Sequence, residues 1–208
     1  MGNPVFAALY DRMVAANERA GLDDRRAELL AGATGSTLEL GAGTGLNLRH
    51  YPDAVTDLVL AEPDRHMARR LRARVAQAGR QAEVVDAPAE RLPFEDARFD
   101  TAVVTLVLCT VQDPARALDE IARVLKPGGR LLFLEHVRTP DEPRLGRWQD
   151  RLERPWGWVA GGCHPNRDTI AALEASPLTV ESVDRGEMPK APPLVKPLVA
   201  GAAVRDSS

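Results

Sequence analysis

The sequence predicts an α/β protein: a parallel sheet with helices on both faces, closed at one edge by an antiparallel hairpin. Three observations carry this. Short runs rich in Val and Leu alternate with helix-length segments along most of the chain. The first such run ends abruptly in Gly41-Ala42-Gly43-Thr44-Gly45, a turn that small residues make because glycine reaches unusual backbone angles. The last two apolar runs have no helix between them, and strands joined without a crossover are antiparallel neighbours.

Taken in order, residues 5 to about 30 carry Phe6, Leu9, Met13 and Val14 at helical spacing, interrupted near Gly21, and read as one or two leading helices. A first strand over 37–40 runs into the glycine turn. A helical turn toward Tyr51, a second strand over 56–60, a helix from about 64 to 78 and a third strand over 83–85 follow. The fourth strand lies in 102–108, rich in Val and Leu as a strand buried on both faces is. Asp113 and Pro114 open a helix as N-cap and first-turn residues, and Lys126-Pro127-Gly128-Gly129 closes it. The fifth strand spans 130–137. A tryptophan-rich stretch that reads as mobile precedes a helix near 168–175, and the hairpin strands are 178–183 and 197–204.

The 208 residues suffice for one ordinary domain, and 44% hydrophobic with 27% charged residues is a globular composition. The net charge, 27 − 30 = −3, favours neither nucleic acid nor an anionic membrane surface. Runs such as 101–111 fall short of the roughly 20 residues that span a bilayer. Met1-Gly2-Asn3-Pro4 lacks a basic patch followed by an apolar stretch, so neither a secretory signal nor a membrane anchor is expected, and the cytoplasm is the expected location. The oligomeric state is left open. Two cysteines, Cys109 and Cys163, are too few for a disulfide framework or a four-thiolate metal site.

The glycine loop points to a ligand approaching the backbone closely. A dinucleotide fingerprint requires a further glycine where this chain has Leu46, which weakens a nicotinamide or flavin reading. Glu62 follows the second strand, 62 − 41 = 21 positions after the first loop glycine, where a carboxylate accepts both hydroxyls of a ribose. Asp86 and Ala87, at the end of the third strand, offer an acid and a free amide to the edge of an adenine ring.

These segments, with Glu62-Pro63, Leu92-Pro93-Phe94, Phe99-Asp100 and Arg123-Val124-Leu125-Lys126-Pro127-Gly128-Gly129, resemble the class I S-adenosylmethionine-dependent methyltransferases, in the branch of the ubiquinone and menaquinone C-methyltransferases (methyltransferase type 11). The likeness covers about half the chain. A narrower one, in Thr105-Leu106-Val107-Leu108-Cys109-Thr110-Val111, Glu135-His136-Val137, Trp148-Gln149, Gly162-Cys163 and Val195-Lys196-Pro197, is to the methyltransferase-like thiol S-methyltransferases of animal endoplasmic reticulum membranes. The resemblance implies a Rossmann-like seven-stranded sheet with the last strand antiparallel. It implies one domain over 1–208, with a helical cap over 1–35, a cofactor-binding core over 36–137, and acceptor-side helices with the hairpin over 138–208. S-adenosylmethionine is the implied methyl donor and S-adenosylhomocysteine the product.

Carried over residue by residue, Gly41, Ala42 and Gly43 present backbone to the methionine end of the cofactor, and Asn47 bonds its polar groups. Glu62 holds the ribose, Pro63 and Met67 flank the adenine, and Asp86 and Ala87 read its edge. Thr105 supplies a hydroxyl, Leu106 points toward the methyl group, and Tyr10 closes the site from the leading helix. His136, at the ligand end of the fifth strand, is the expected proton-handling group, ahead of His164 and His50. Trp148, Trp156 and Trp158 are all the tryptophans of an aromatic-poor chain; such rings can wall an apolar acceptor pocket, and Trp148 and Trp156, with His164, are the expected acceptor-binding residues. Cys109 reads as buried and inert. Cys163 with His164 lacks an orienting third group, and Cys163, His164 and Asp168 lack the number and spacing of a metal site, so no metal is expected. The function implied is methyl transfer to a small, largely apolar molecule, a thiol first. An O-, N- or C-methyltransferase of a phenol, quinol, lipid amine or natural product is the alternative, and a non-catalytic S-adenosylmethionine-binding protein the second.

Overall fold

The structure, a computed structural model, describes residues 4–139 and 142–206. Met1, Gly2 and Asn3, on which the expected absence of a secretory signal rests, lie outside them. Helices α1 (Pro4–Asn17) and α2 (Asp23–Leu30) are separated by a kink at Gly21, whose φ of 123° breaks the helical run. Strands β1 (Gly35–Leu40), β2 (Val55–Ala61), β3 (Glu83–Val85), β4 (Phe99–Thr105), β5 (Leu125–His136), β6 (Leu178–Glu187) and β7 (Pro197–Arg205) form one sheet in the order β3-β2-β1-β4-β5-β7-β6. All pairings are parallel except those of β7, which runs antiparallel to both β5 and β6. The remaining helices are α3 (Arg65–Ala78), α4 (Pro114–Val124), α5 (Pro143–Val159) and α6 (Thr169–Glu174).

Local chemistry sets the helix ends. The Asp64 carboxylate accepts from the amides of His66 and Met67 to start α3, which stops at Gly79 in the left-handed conformation. Asp113 accepts from the Arg116 amide, with Pro114 in the first turn of α4. Buried Leu118, Ile121 and Ala122 fix the face that α4 lays on the sheet.

Strand alternation divides the core in two. Leu38, Leu40, Val104 and Phe133 face one layer with α4, whereas Leu58, Leu60, Val103 and Leu132 face another with Leu71 of α3. Two sequence expectations change. The tryptophan-rich stretch is helix α5, seventeen residues long, with Pro155 inside it. Strand β4 ends at Thr105 rather than 108, because Leu106 turns to φ +59° and the chain leaves the sheet.

Candidate active site

All strands but β7 point their C-terminal ends to one edge of the sheet, and the loops leaving those ends build the site. In the loop after β1, Gly41 and Gly43 both hold φ +58°. A Cβ on Gly41 would meet Val107 Cγ2 at 2.7 Å, so glycine lets the β1 and β4 loops touch. A Cβ on Gly43 would have no atom nearer than 3.9 Å, so its bare backbone faces open space. Glu62 follows β2 and is 6% exposed. Its Oε2 accepts from the Gly43 amide and its Oε1 from the Asp64 amide, each at 2.8 Å. Burial raises its pKa against those two amides. Each carboxylate oxygen keeps a second acceptor position, which suits a vicinal diol.

A cleft of about 660 Å³ runs from Gly41 and Glu62 past Pro63, Pro88 and Ala89 to Leu106. That is ample for a nucleoside with an amino-acid arm. Below the glycine loop the expected Asn47 and Thr105 join a buried polar network whose other members, Arg26, Glu18, Glu39 and Tyr51, the sequence reading missed. Buried Arg26 donates to Asn47 Oδ1 and Thr105 Oγ1, both at 3.0 Å, and pairs with Glu18 at 3.2 Å. Asn47 Nδ2 donates to Glu39 Oε1 at 2.9 Å, and the Tyr51 hydroxyl donates to Glu39 Oε2 at 2.8 Å. Full burial pushes Glu39 up to about 7 despite these donors. The one signal was an acid inside the apolar run Leu38-Glu39-Leu40. The bare Gly43 and the two-sided Glu62 carboxylate fit the nucleoside of S-adenosylmethionine, and the buried polar network braces the loop beneath it.

A second cavity, of about 600 Å³, shares Glu62, Pro63, Leu106 and Thr110 with the first. Its walls are largely apolar, with Phe6, Tyr10, Met67, Trp156 and Met188 among them. One end carries Cys109, His136 and Cys163, all buried. His136 Nε2 lies 2.9 Å from Cys163 Sγ, and the Trp156 indole N–H donates to the same sulfur at 3.3 Å. Cys163 is pulled down to about 4, first by a hydrogen bond from the Cys109 thiol and then by His136, against its burial. The Cys109 thiol is pushed up by the same contact and by burial. Glu135 is fully buried, and its carboxylate accepts from the amides of Val107 and Leu108 at 2.7 and 3.0 Å, fixing the β4 loop.

The structure brings together most of the expected residues. Gly41 lines the first cleft, and Glu62, Pro63 and Leu106 lie where it meets the second cavity. Ala42, Asn47 and Thr105 line the space around the polar network, which Gly43 and Tyr10 join to the second cavity. Met67, His136 and Trp156 line that cavity, as does Trp158, which is otherwise exposed. Four residues depart. Asp86 is exposed and pairs with Arg72 at 2.9 Å, because the β3 loop offers Pro88 and Ala89 to the cleft instead; Ala87 is buried beside it and is not in the lining. Trp148 sits on the outward face of α5, 56% exposed and away from the cavity. His164 turns to Glu153, with Nδ1 2.7 Å from Oε1, and does not line the cavity.

Comparison with known proteins agrees with this geometry. A family model described as a methyltransferase domain matches residues 38–133. Human thiol S-methyltransferase TMT1B is 36% identical over 185 residues, 85% of this chain and 74% of that protein. Human thiol S-methyltransferase TMT1A is 31% identical over 206 residues, 96% of this chain and 83% of that one. Among solved structures, a putative methyltransferase from Bacillus halodurans superposes with a TM-score of 0.73 at 17% identity, covering 89% of this chain and all of that one. Geranyl diphosphate methyltransferase in complex with S-adenosylmethionine gives 0.71 at 14% identity, over 89% and 85%. A bare-backbone glycine loop, an amide-pinned acid after β2, a seven-stranded sheet with β7 reversed, and relatives covering most of the chain lead to one family: the chain belongs to the class I S-adenosylmethionine-dependent methyltransferases.

Proposed function

We propose that this methyltransferase acts on the sulfur of a small, largely apolar thiol. One observation carries the reading: the apolar cavity that meets the cofactor cleft at Glu62, Pro63 and Leu106 ends in a buried cluster of two sulfurs and an imidazole. Apolar walls take up an acceptor's carbon skeleton, and the cluster is where its S–H finds a polarisable, hydrogen-bonding partner. The segments that carry the likeness to thiol S-methyltransferases contribute these groups, and the identity to the human thiol S-methyltransferases supports the same acceptor.

When bound, S-adenosylmethionine supplies an activated methyl group, so the protein's task is binding and alignment. In this reading Glu62 holds the ribose, and Gly41, Ala42 and Gly43 present bare backbone to the methionine arm. Asn47 and Thr105, tied together by Arg26, meet its charged end, and Pro63 and Met67 border the base. Leu106, strained at φ +59° and pinned by its amide to the Leu134 carbonyl at 2.8 Å, sits at the junction of the two cavities. Tyr10 on α1 and Trp156 on α5 both line the acceptor space. Residues 1–35 act as the cap, 36–137 as the cofactor core and 138–208 as the acceptor side.

Turnover against matched thiols, phenols, amines and quinols tests the acceptor. Methylation of the thiol with little on the others is the expected result. Turnover of a phenol, amine or quinol with none of the thiol overturns the sulfur assignment and leaves the methyltransferase standing.

A further inference from the structure

Cys109, His136 and Cys163 sit on three separate segments: the loop after β4, the end of β5 and the turn after α5. Their Sγ, ring nitrogen and Sγ atoms nevertheless lie within 4.8 Å of one another, and the three residues are 2%, 4% and 8% exposed. We propose that they form a binding site for a soft divalent cation of the zinc class, with its fourth position open to the acceptor cavity.

The donor set is the first argument. Two thiolate sulfurs and one imidazole match soft, borderline cations, and no carboxylate belongs to the cluster to favour magnesium or calcium. Three protein ligands with one open position is the arrangement of a catalytic rather than a structural zinc. A tetrahedral ion with bonds of about 2.3 Å to sulfur and about 2.0 Å to nitrogen holds its ligand atoms roughly 3.5–3.8 Å apart. The 2.9 Å between His136 Nε2 and Cys163 Sγ then opens by about half an ångström, a small side-chain rotation.

His136 turns Nε2 toward Cys163 Sγ, and its opposite nitrogen, Nδ1, is buried with no hydrogen-bond partner among the described residues, so that side of the ring is left for an outer bond to water rather than for the ion.

The surroundings are built as support. The Trp156 indole N–H donates to Cys163 Sγ, the kind of outer bond that steadies a metal thiolate. Glu135 grips the amides of Val107, Leu108 and Cys109, which fixes the backbone under Cys109. The His164 amide donates to the Cys109 carbonyl at 2.8 Å, tying the segment of Cys163 to that of Cys109. The ligands are thus held by contacts that do not need the ion.

The role of the site rests on the thiol reading above. An acceptor thiol takes the fourth position as a thiolate and releases one proton to solvent. A lone pair on that sulfur forms the new S–CH₃ bond as the donor's S–CH₃ bond breaks, its electron pair staying on the donor sulfur. The product thioether is neutral, a poor ligand, and leaves.

The test titrates Co²⁺ into the full-length, metal-stripped protein under a phosphine reductant, which is not itself a thiol. Roughly one Co²⁺ per chain is expected, with a thiolate-to-cobalt charge-transfer band, and binding at least about tenfold weaker in each of Cys109→Ser, Cys163→Ser and His136→Ala. Zn²⁺ should displace the cobalt, and an aliphatic thiol should shift the tetrahedral d–d bands. Circular dichroism and S-adenosylmethionine titration confirm that each variant is folded. No retained metal, or binding unchanged in all three folded variants, overturns the site. Cobalt bound through these residues while no thiol is methylated upholds the site and sinks the thiol reading. Thiol methylation at full rate in the stripped protein does the reverse for the site's role.

Discussion

In the proposed cofactor site, Glu62 has both its oxygens half used. The Gly43 and Asp64 amides hold the carboxylate in place, and its remaining acceptor positions face the cleft. Glu62→Ala removes these charge-assisted bonds, which are worth roughly 1.5–3 kcal/mol, so the dissociation constant for S-adenosylmethionine should rise about ten- to a hundredfold. Calorimetric titration of the folded variant decides, and unchanged affinity would show that the ribose is held elsewhere. The place of Glu62 beside the cleft was legible in the sequence, since a fixed count from the glycine turn put it at a strand end. Asp86 was read only from its place at the end of the third strand, and it turns away from the cleft, because β3 is three residues long and Arg72 draws the acid outward. The cluster of Cys109, His136 and Cys163 was illegible for a different reason. Spacing rules find ligands that share a helix or a loop, and here three strand and helix ends meet only after the sheet forms.

Among the elements, strands buried on both faces and helices with an N-cap aspartate were readable, because each is fixed by its own residues. Helix α5 was not. Gly146, Pro155 and Gly157 dilute its helical signal, and its place is set by tertiary contacts, such as buried Gln149 bonding the Val137 and Leu194 carbonyls. The turn that ends α5 also shapes the second cavity, the proposed acceptor space. Gly161 holds φ +65°, and a Cβ there would stand 2.7 Å from the Phe6 ring of α1. Gly161→Val should therefore push α1 from the cavity wall and raise the acceptor KM by about tenfold, the scale on which an apolar pocket responds to a change of a methylene or two, with cofactor affinity unchanged. Steady-state kinetics beside a cofactor titration test this. A variant with unaltered KM would place the acceptor away from α1.

For the molecule as a whole, the buried polar network under the glycine loop ties stability to pH. Glu39 titrates near 7 in the fold and at 4.5 when exposed, because burial disfavours its charge. Between those values the folded state keeps a proton that the unfolded chain has released, so stability falls as pH rises through this window. The cost is complete above about 7 and amounts to at most roughly 3 kcal/mol. Glu39→Gln has no charge to bury, so its stability relative to the unsubstituted protein should climb from pH 4.5 to 7 in denaturant titrations. Parallel curves for the two proteins would refute the shift. The reversed strand has a consequence of another kind. β7 is the last strand among the described residues, yet it lies inside the sheet and separates β5 from β6. A ribosome that has not yet released residues 197–205 leaves β5 with a bare edge and β6 with nothing to pair, so the nascent chain cannot complete its sheet vectorially. His136 at the tip of β5 pairs with Leu198, so the strand that carries it into the sulfur cluster is not braced until residues 197–205 have been made, and a chain stalled before Pro197 is exposed to aggregation rather than merely inactive.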